Sequence, residues 1–321
     1  MSAFFRPFEV TSINQPIDCL CVMQWNIFAQ GMGHCHCYLY IGFVQKNEFA
    51  YCPSDLLKVE KRLELFKSEI LDYSPDIICL QEADIHSQIV SAISYQKSGS
   101  YEHIFAPKPL SPCLAYNSNF GPDGMAVVFR RDKLKLQHQR LIPTVADGSR
   151  CALLVELEHI RTGFTIFVVC VHLKANPQFS DFRRNEIAYL LRHLSTLLLA
   201  RKDYGLFIVG DFNAEPWEPS IQALKSSDFG LASAYASASG GNEAQFTTWK
   251  IRKTEAGGFL EVQHTIDYIF YSMAAFELLG IRPIPKPPEI GAGALPSEKF
   301  PSDHINLIAH FGLPAVPFVD D

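Results

Sequence analysis

The chain has 321 residues, 48% apolar and 19% charged, which is enough for one large hydrophobic core and lies near the size at which chains divide into domains. Its formal charge of -6 argues against a broad basic face tracking a long nucleic acid, since that mode relies on many Lys and Arg contacts to phosphate, but it leaves room for a local basic pocket. Nine cysteines, an odd number in no regular framework, favour a reducing, intracellular compartment over a disulfide-stapled secreted fold.

Residues 1–19 read as an N-terminal extension, 20–313 as a single domain and 314–321 as a short tail. Met1 to Val10 holds one Arg, one Glu and no apolar run of signal-peptide length, and no later stretch reaches the ~20 apolar residues that span a bilayer, so neither secretion nor a membrane is expected. Val22-Met23-Gln24-Trp25-Asn26 is a short apolar run that ends on a polar side chain, as a doubly buried strand does at its mouth. The following His34-Cys35-His36-Cys37 invites a zinc reading, but adjacent residues cannot all turn toward one ion and no second half with ligand spacing follows. Leu56, Val59, Leu63, Phe66 and Ile70 recur every three or four residues and predict a helix over 54–73, with Ser54 or Asp55 as cap and Pro75 as stop. A strand at 76–81 follows at once and delivers Glu82.

Gly121-Pro122-Asp123-Gly124 opens a strand over Met125 to Phe129, and Arg161-Thr162-Gly163 predicts a hairpin joining strands 151–158 and 164–172, the second ending on His172. A second helix carries Ile187, Leu190, Leu191, Leu194 and Leu198; Gly205 breaks it, and Leu206-Phe207-Ile208-Val209 leads into Gly210-Asp211-Phe212-Asn213. Near the end come Ile266-Asp267-Tyr268-Ile269, a Pro- and Gly-rich surface loop over Pro283 to Pro296, Ser302-Asp303-His304 and a last strand from Asn306 to Phe311. Strand, helix, strand occurs twice and hairpins intervene, so the fold class is α/β with mixed sheets.

Five strand mouths that each carry a polar group are suited to phosphate chemistry, because α/β sheets place their sites at strand ends. Glu82 offers a carboxylate to a hard divalent cation, and Asn26 and Asp211 add oxygens directly or through water, which suits Mg2+. The plainer alternative for Glu82 alone is an exposed acid. Asp211 and Asn213, two apart on one extended strand end, are expected to project to the same side, as the base and the orienting partner of a water. His172 and His304 are candidates to donate hydrogen bonds to phosphate oxygens, although a lone His after an apolar strand is more often a satisfied core residue. Asp267 lies in an apolar strand and needs a partner; His304 is the natural one, and capping a neighbouring loop is the alternative.

The strings W-N-I (25–27), L-Q-E (80–82), H-L-K-A (172–175), G-D-F-N-A-E-P (210–216), H-T-I-D-Y-I (264–269) and P-S-D-H (301–304) resemble the endonuclease/exonuclease/phosphatase superfamily, over about residues 20–312. F-A-P-K-P-L-S-P-C (105–113), N-F-G-P-D-G (119–124) and T-T-W-K-I-R (247–252) look like its nocturnin-like branch, related to carbon-catabolite-repressor-type deadenylases. The resemblance implies a four-layer α/β/β/α sandwich and a Mg2+- or Mn2+-dependent phosphoester hydrolase. Glu82 would be the main metal ligand with Asn26 nearby, Asp211 and Asn213 would position the nucleophile, and His172, Asp267 and His304 would stabilise the phosphate. It further implies removal of the 2'-phosphate of NADP or NADPH, with Lys108, Lys174 and Arg252 gripping phosphates; the alternatives are 3'-5' trimming of an RNA 3' end as a poly(A) deadenylase and an inactive RNA- or protein-binding relative. The expected location is cytoplasmic, with mitochondrial forms arising from other N-termini. Two departures stand out. Asn176-Pro177 replaces an expected Arg, for which Arg183 or Arg184 is the proposed substitute, and Gly33 to Tyr51 is a longer, Cys- and Tyr-rich loop able to act as a lid.

Overall fold

Alternating side chains along short buried strands build two sheets that share one apolar layer. The computed structural model describes residues 6–11, 18–33, 49, 51–94, 101–115, 119–254 and 256–314. In chain order the first half contains β1 (Glu9–Val10), β2 (Cys19–Asn26), α1 (Val59–Tyr73), β3 (Ile77–Gln81), α2 (His86–Ser94), β4 (Tyr101–Pro107) and β5 (Gly124–Arg130). Next come β6 (Leu134–Pro143), β7 (Cys151–His159), β8 (Thr165–His172), α3 (Ser180–Leu198), β9 (Tyr204–Asp211), α4 (Pro219–Lys225) and β10 (Leu231–Ser233). The chain finishes with β11 (Thr248–Lys253), β12 (Phe259–His264), β13 (Asp267–Ser272), β14 (Glu277–Ile281) and β15 (Leu307–Gly312).

One sheet has the order β1-β14-β15-β2-β3-β5-β4 and the other β10-β13-β9-β8-β7-β6, while β11 and β12 form a separate hairpin. The pairs β2–β3 and β8–β9 run parallel, with α1 in the first crossover and α3 in the second, and their neighbours are antiparallel, so both sheets are mixed as expected. Leu20, Val22, Ile77, Cys79 and Val127 of the first sheet pack with Val155, Val168, Cys170, Val209 and Ile269 of the second. The opposite strand faces are covered by helices: Met23, Trp25, Ile78 and Leu80 meet Phe66, Ile70 and Ile89, whereas Phe167, Val169 and Ile208 meet Ile187, Leu190 and Ile221. This is the four-layer α/β/β/α sandwich. Phe66 and Ile70 are essentially buried, and each contributes about 1.5–3 kcal/mol by leaving water. No helix among the described residues is long and apolar enough to cross a membrane.

Two expectations about local structure are corrected. The helix predicted from residue 54 begins at Val59, because Ser54–Leu57 forms a separate 3-10 turn and Asp55 pairs with Lys58 and Lys61 instead of capping. It ends as expected before Pro75, with Ser74 in the left-handed region. The segment Pro283 to Pro296 is not a surface loop: Ile290, Ala294 and Leu295 are buried against Phe246, Trp249 and Phe300, closing one end of the β11–β12 hairpin. Its apolar side chains outweigh the turn propensity of its prolines and glycines. The His34–Cys37 cluster lies outside the described residues, and the seven described cysteines are all unbridged.

Gly210 is required where β9 meets β8, since a Cβ there would run into the Val171 carbonyl. Gly210→Ala is expected to cost about 1–3 kcal/mol through overpacking, read as a lower denaturation midpoint at unchanged slope.

Candidate active site

Side-chain parity explains why the polar strand ends meet. Leu20 and Val22 face the other sheet, so Gln24 and Asn26 do too; the same parity carries Cys79 to Gln81, Cys170 to His172 and Val209 to Asp211. Register then lines them up, with His172 beside Asp211 across β8–β9 and Asp211 beside Asp267 across β9–β13. The floor of the site is therefore the margin of the inter-sheet core. Glu82 completes it from the residue after β3, with φ 53°, in the left-handed region, turning the chain out of the strand.

Asp267 is the best-satisfied group in this cluster. One carboxylate oxygen accepts from the Gln24 amide at 2.8 Å; the other accepts from the Thr247 hydroxyl at 2.6 Å and lies 2.8 Å from His304 Nδ1. Burial opposes charge on His304, but Asp267, Asp303 and Asp211 together outweigh it and hold the imidazole up at about 10, so in the ion-free protein it is an imidazolium at neutral pH. For His172 burial wins over nearby Asp211 and pushes the imidazole down to about 4, leaving it neutral. Burial and Asp267 raise Asp211 above the usual carboxylate range, while both histidines act the other way. The Nε2 atoms of His172 and His304 stand 3.7 and 3.9 Å from the same Asp211 oxygen. Two differently charged donors thus flank one basic carboxylate.

The Asp211–Asn213 relation is corrected in form. The strand ends at Asp211, and Asn213 adopts φ 49°, so the pair is not extended; instead the Asn213 N–H donates to Asp211 Oδ1 at 2.8 Å and its amide donates to the Leu173 carbonyl at 3.2 Å. Both residues still line one cavity.

Glu82, Asn26 and Asp211 converge: the Asn26 amide donates to Glu82 Oε1 at 3.1 Å and to Asp211 Oδ2 at 3.0 Å, while its own oxygen accepts from the Phe28 N–H at 3.0 Å. The two carboxylates, with the Asn26 amide between them, offer the hard oxygens that fit a divalent cation. Asp211, Asp267 and His304 also lie within 4.8 Å of one another and form an acidic/imidazole group able to hold an ion. The donors already bound to Asp267 occupy its oxygens and the near nitrogen of His304, so the Glu82 side is the better fit. Arg62, fully buried, donates to the Phe28 carbonyl at 2.6 Å and the Pro301 carbonyl at 2.8 Å, tying the loop after Asn26 to the loop that carries His304.

Two cavities open from this floor and share Glu82, His172 and Ala175. One, about 340 Å³, holds Lys108 and Lys174 together with Arg150; the other, about 670 Å³, holds Arg252, Asn176 and Trp217. The three expected cations are therefore divided between two arms. Lys174 lies over the Phe179 ring at 4.7 Å, and Lys108 is 3.3 Å from Asp123. Several contributors were not picked out as site residues by sequence reasoning: Gln24, Thr247, Trp217 and Asp303, which pairs with Lys250 at 2.6 Å. Thr247 and Asp303 sit inside quoted motifs, and Trp217 directly follows one. At the edges of the long Gly33 to Tyr51 loop, Phe49 packs edge-on against Phe28 and Tyr51 against Phe259 of β12; residues 34–48 and 50 lie outside the described set.

The substitute proposed for the Arg missing at Asn176 is overturned. Arg183 is fully buried, forks onto Glu218 at 2.7 and 2.9 Å and donates to the Lys174 and Asn176 carbonyls, so it holds the loop from below. Arg184 faces solvent beside Asp181, and neither arginine lines the two cavities. Arg183→Ala should cost about 3–5 kcal/mol by stranding Glu218. Arg184→Ala should shift stability by no more than about 0.5 kcal/mol, as chemical denaturation will read.

The Endonuclease/Exonuclease/phosphatase family model matches residues 23–304. Nocturnin from Homo sapiens is 37% identical over 299 residues, covering 90% of this chain; the chain spans 64% of that relative's length. The CCR4-Not complex 3'-5'-exoribonuclease subunit Ccr4 of Saccharomyces cerevisiae is more distant, at 27% identity over 82% of this chain and 36% of its own. The structure of the human Nocturnin catalytic domain with bound sulfate anion superimposes with a TM-score of 0.72 at 32% identity, covering 96% of this chain and 98% of that one. Fold, motif positions and similarity agree: the chain belongs to the endonuclease/exonuclease/phosphatase family, whose members named here are phosphoester hydrolases.

Proposed function

We propose that this chain is a magnesium-dependent phosphoester hydrolase that removes the 2'-phosphate of NADP(H), giving NAD(H) and inorganic phosphate. The observation that carries this reading is the branched cleft. Glu82 and His172 sit at its junction, Asp211 and His304 line the larger arm, and cations stand in both arms, Lys108 and Lys174 on one side and Arg252 on the other. A compact, multiply charged dinucleotide can place one phosphate at the junction and extend along an arm, whereas a protein of net charge -6 has little to offer a long polyanion.

In this reading Glu82 and Asn26, with Asp211 beside them, hold the divalent ion, which when bound supplies Lewis-acid polarisation of a phosphoryl oxygen. Asp211, made more basic by burial, takes a proton from the attacking water that Asn213 helps to orient. His304, a cation held in place by Asp267, and neutral His172 donate hydrogen bonds to the phosphoryl oxygens as their charge grows. Lys108, Lys174 and Arg252 contact the remaining phosphates.

The second reading is a 3'-5' exoribonuclease acting on poly(A). Likeness to Ccr4 and an exposed aromatic ring in the larger arm favour it. The retained set of acids and histidines speaks against an inactive relative, because loss of one such group typically costs orders of magnitude in rate.

Glu82→Ala, Asp211→Asn or treatment with a chelator should each lower turnover by at least about 10²-fold while leaving the unfolding transition cooperative. Offering NADP, NADPH, oligoadenylate and 2',3'-cyclic RNA ends to one preparation and measuring phosphate and nucleotide release separates the readings. Phosphate from NADP(H) is the expected result; nucleotide release from oligoadenylate alone would transfer the assignment to the exoribonuclease.

A further inference from the structure

One large aromatic side chain in the cleft has no part in the hydrolytic chemistry. Of the three tryptophans, Trp25 and Trp249 are 2% and 6% exposed, whereas Trp217 is 74% exposed. An indole left in water forgoes the burial that such a ring normally finds. Its position is not a random surface site. Trp217 lines the larger arm of the cleft and also a neighbouring cavity of about 440 Å³, so it stands as a partition between the two.

The backbone on either side of this ring is fixed. Glu218 is clamped by Arg183 and its N–H donates to the Glu215 carbonyl at 2.9 Å; the Gln222 side chain donates to the Pro216 carbonyl at 2.8 Å. Glu215 is itself held by His264 at 2.6 Å. An exposed ring on a rigid mount loses little freedom when something flat settles on it, the condition under which stacking yields most. The same cavity is also lined by Arg252 and Val262, a cation and an apolar side chain from the β11–β12 hairpin.

We infer that Trp217 is a stacking platform for a planar base of the substrate, namely the base remote from the phosphate being cut; this rests on the reading of the chain as a hydrolase of a phosphorylated dinucleotide. Depth assigns the base. Asp211 and His304 at the floor are 1% and 5% exposed, while Trp217 belongs to the open rim, so a phosphate at the floor keeps its own nucleoside near the junction and sends the second outward. Arg252 lies in the same arm to meet the phosphates between them. Trp217 is thus a substrate-positioning residue, and its effect belongs in KM.

The test compares NADP, which has two bases, with adenosine 2'-phosphate, which has one. Trp217→Ala should raise KM for NADP about tenfold at unchanged kcat, leave KM for adenosine 2'-phosphate unchanged, and be largely rescued by Trp217→Phe. Equal changes on both substrates, no change on either, or a loss of kcat alone would overturn the assignment. A binding readout is independent of turnover: with a chelator present, NADP should quench the emission of the exposed indole in the wild type but not in Trp217→Phe, and adenosine 2'-phosphate should not. If the wild type releases no phosphate from NADP, the proposed function fails on its own; the quench still decides, its presence supporting the platform and its absence overturning it.

Discussion

The buried Asp267 carboxylate is the constraint on which the site is built. A carboxylate with no access to water is costly unless its lone pairs are filled, and here the partners come from different parts of the chain: Gln24 on β2, Thr247 before β11 and His304 in the loop before β15. Gln24 belongs to one sheet and Asp267 to the other, so satisfying this charge fixes the two sheets against each other at the margin of their shared core. Once that is done, parity and register leave little freedom for Asn26, His172 and Asp211, which lie on the same inward face. Asp267 also sets the charge of His304, because it is the first of the acids that outweigh desolvation of the imidazole.

Around that fixed floor, the loops decide what enters. Arg183 and Glu186 lie under the segment after β8, Arg183 through the Lys174 and Asn176 carbonyls and Glu186 through the Lys174 N–H and the Arg150 guanidinium, so Lys174 and Arg150 of the smaller arm are held by buried charged groups. The hairpin β11–β12 brings Arg252 over the other arm and is itself propped by the Pro283–Pro296 segment. An overall acidic protein thereby gathers Lys108, Lys174, Arg150 and Arg252 around the cleft where a compact anionic ligand is proposed to bind. In that proposal a phosphate occupies the junction, and the cleft gives direction to the rest of the molecule.

Much of this was legible in the sequence because buried strands announce themselves locally. Val22–Asn26, Ile77–Gln81 and Leu206–Asp211 are apolar runs that end on a polar residue, and each proved to be a strand that ends at the site. The Asp267–His304 pairing followed from the cost of burying a charge. What could not be read were features decided by tertiary context. Arg183 looks like a surface cation on a helix, and only the position of Glu218 makes it a buried strut. Asn213 reads as the next residue of a strand, yet a hydrogen bond from its own N–H to Asp211 turns it into the left-handed region. Pro283 to Pro296 carries every signal of a loop, and the apolar end of a hairpin elsewhere in the chain recruits it to the core.

The central claim is that oxygen groups from separate strands surround one divalent ion at the Glu82 side of the cleft, leaving Asp267 and His304 to work as a pair. Anomalous diffraction from crystals grown with Mn2+ tests it most directly. The account predicts a manganese peak bonded to the Glu82 carboxylate, with Asn26 and Asp211 in its immediate surroundings. A peak held by Asp267 and His304, or none near Glu82 at saturating Mn2+, would contradict it.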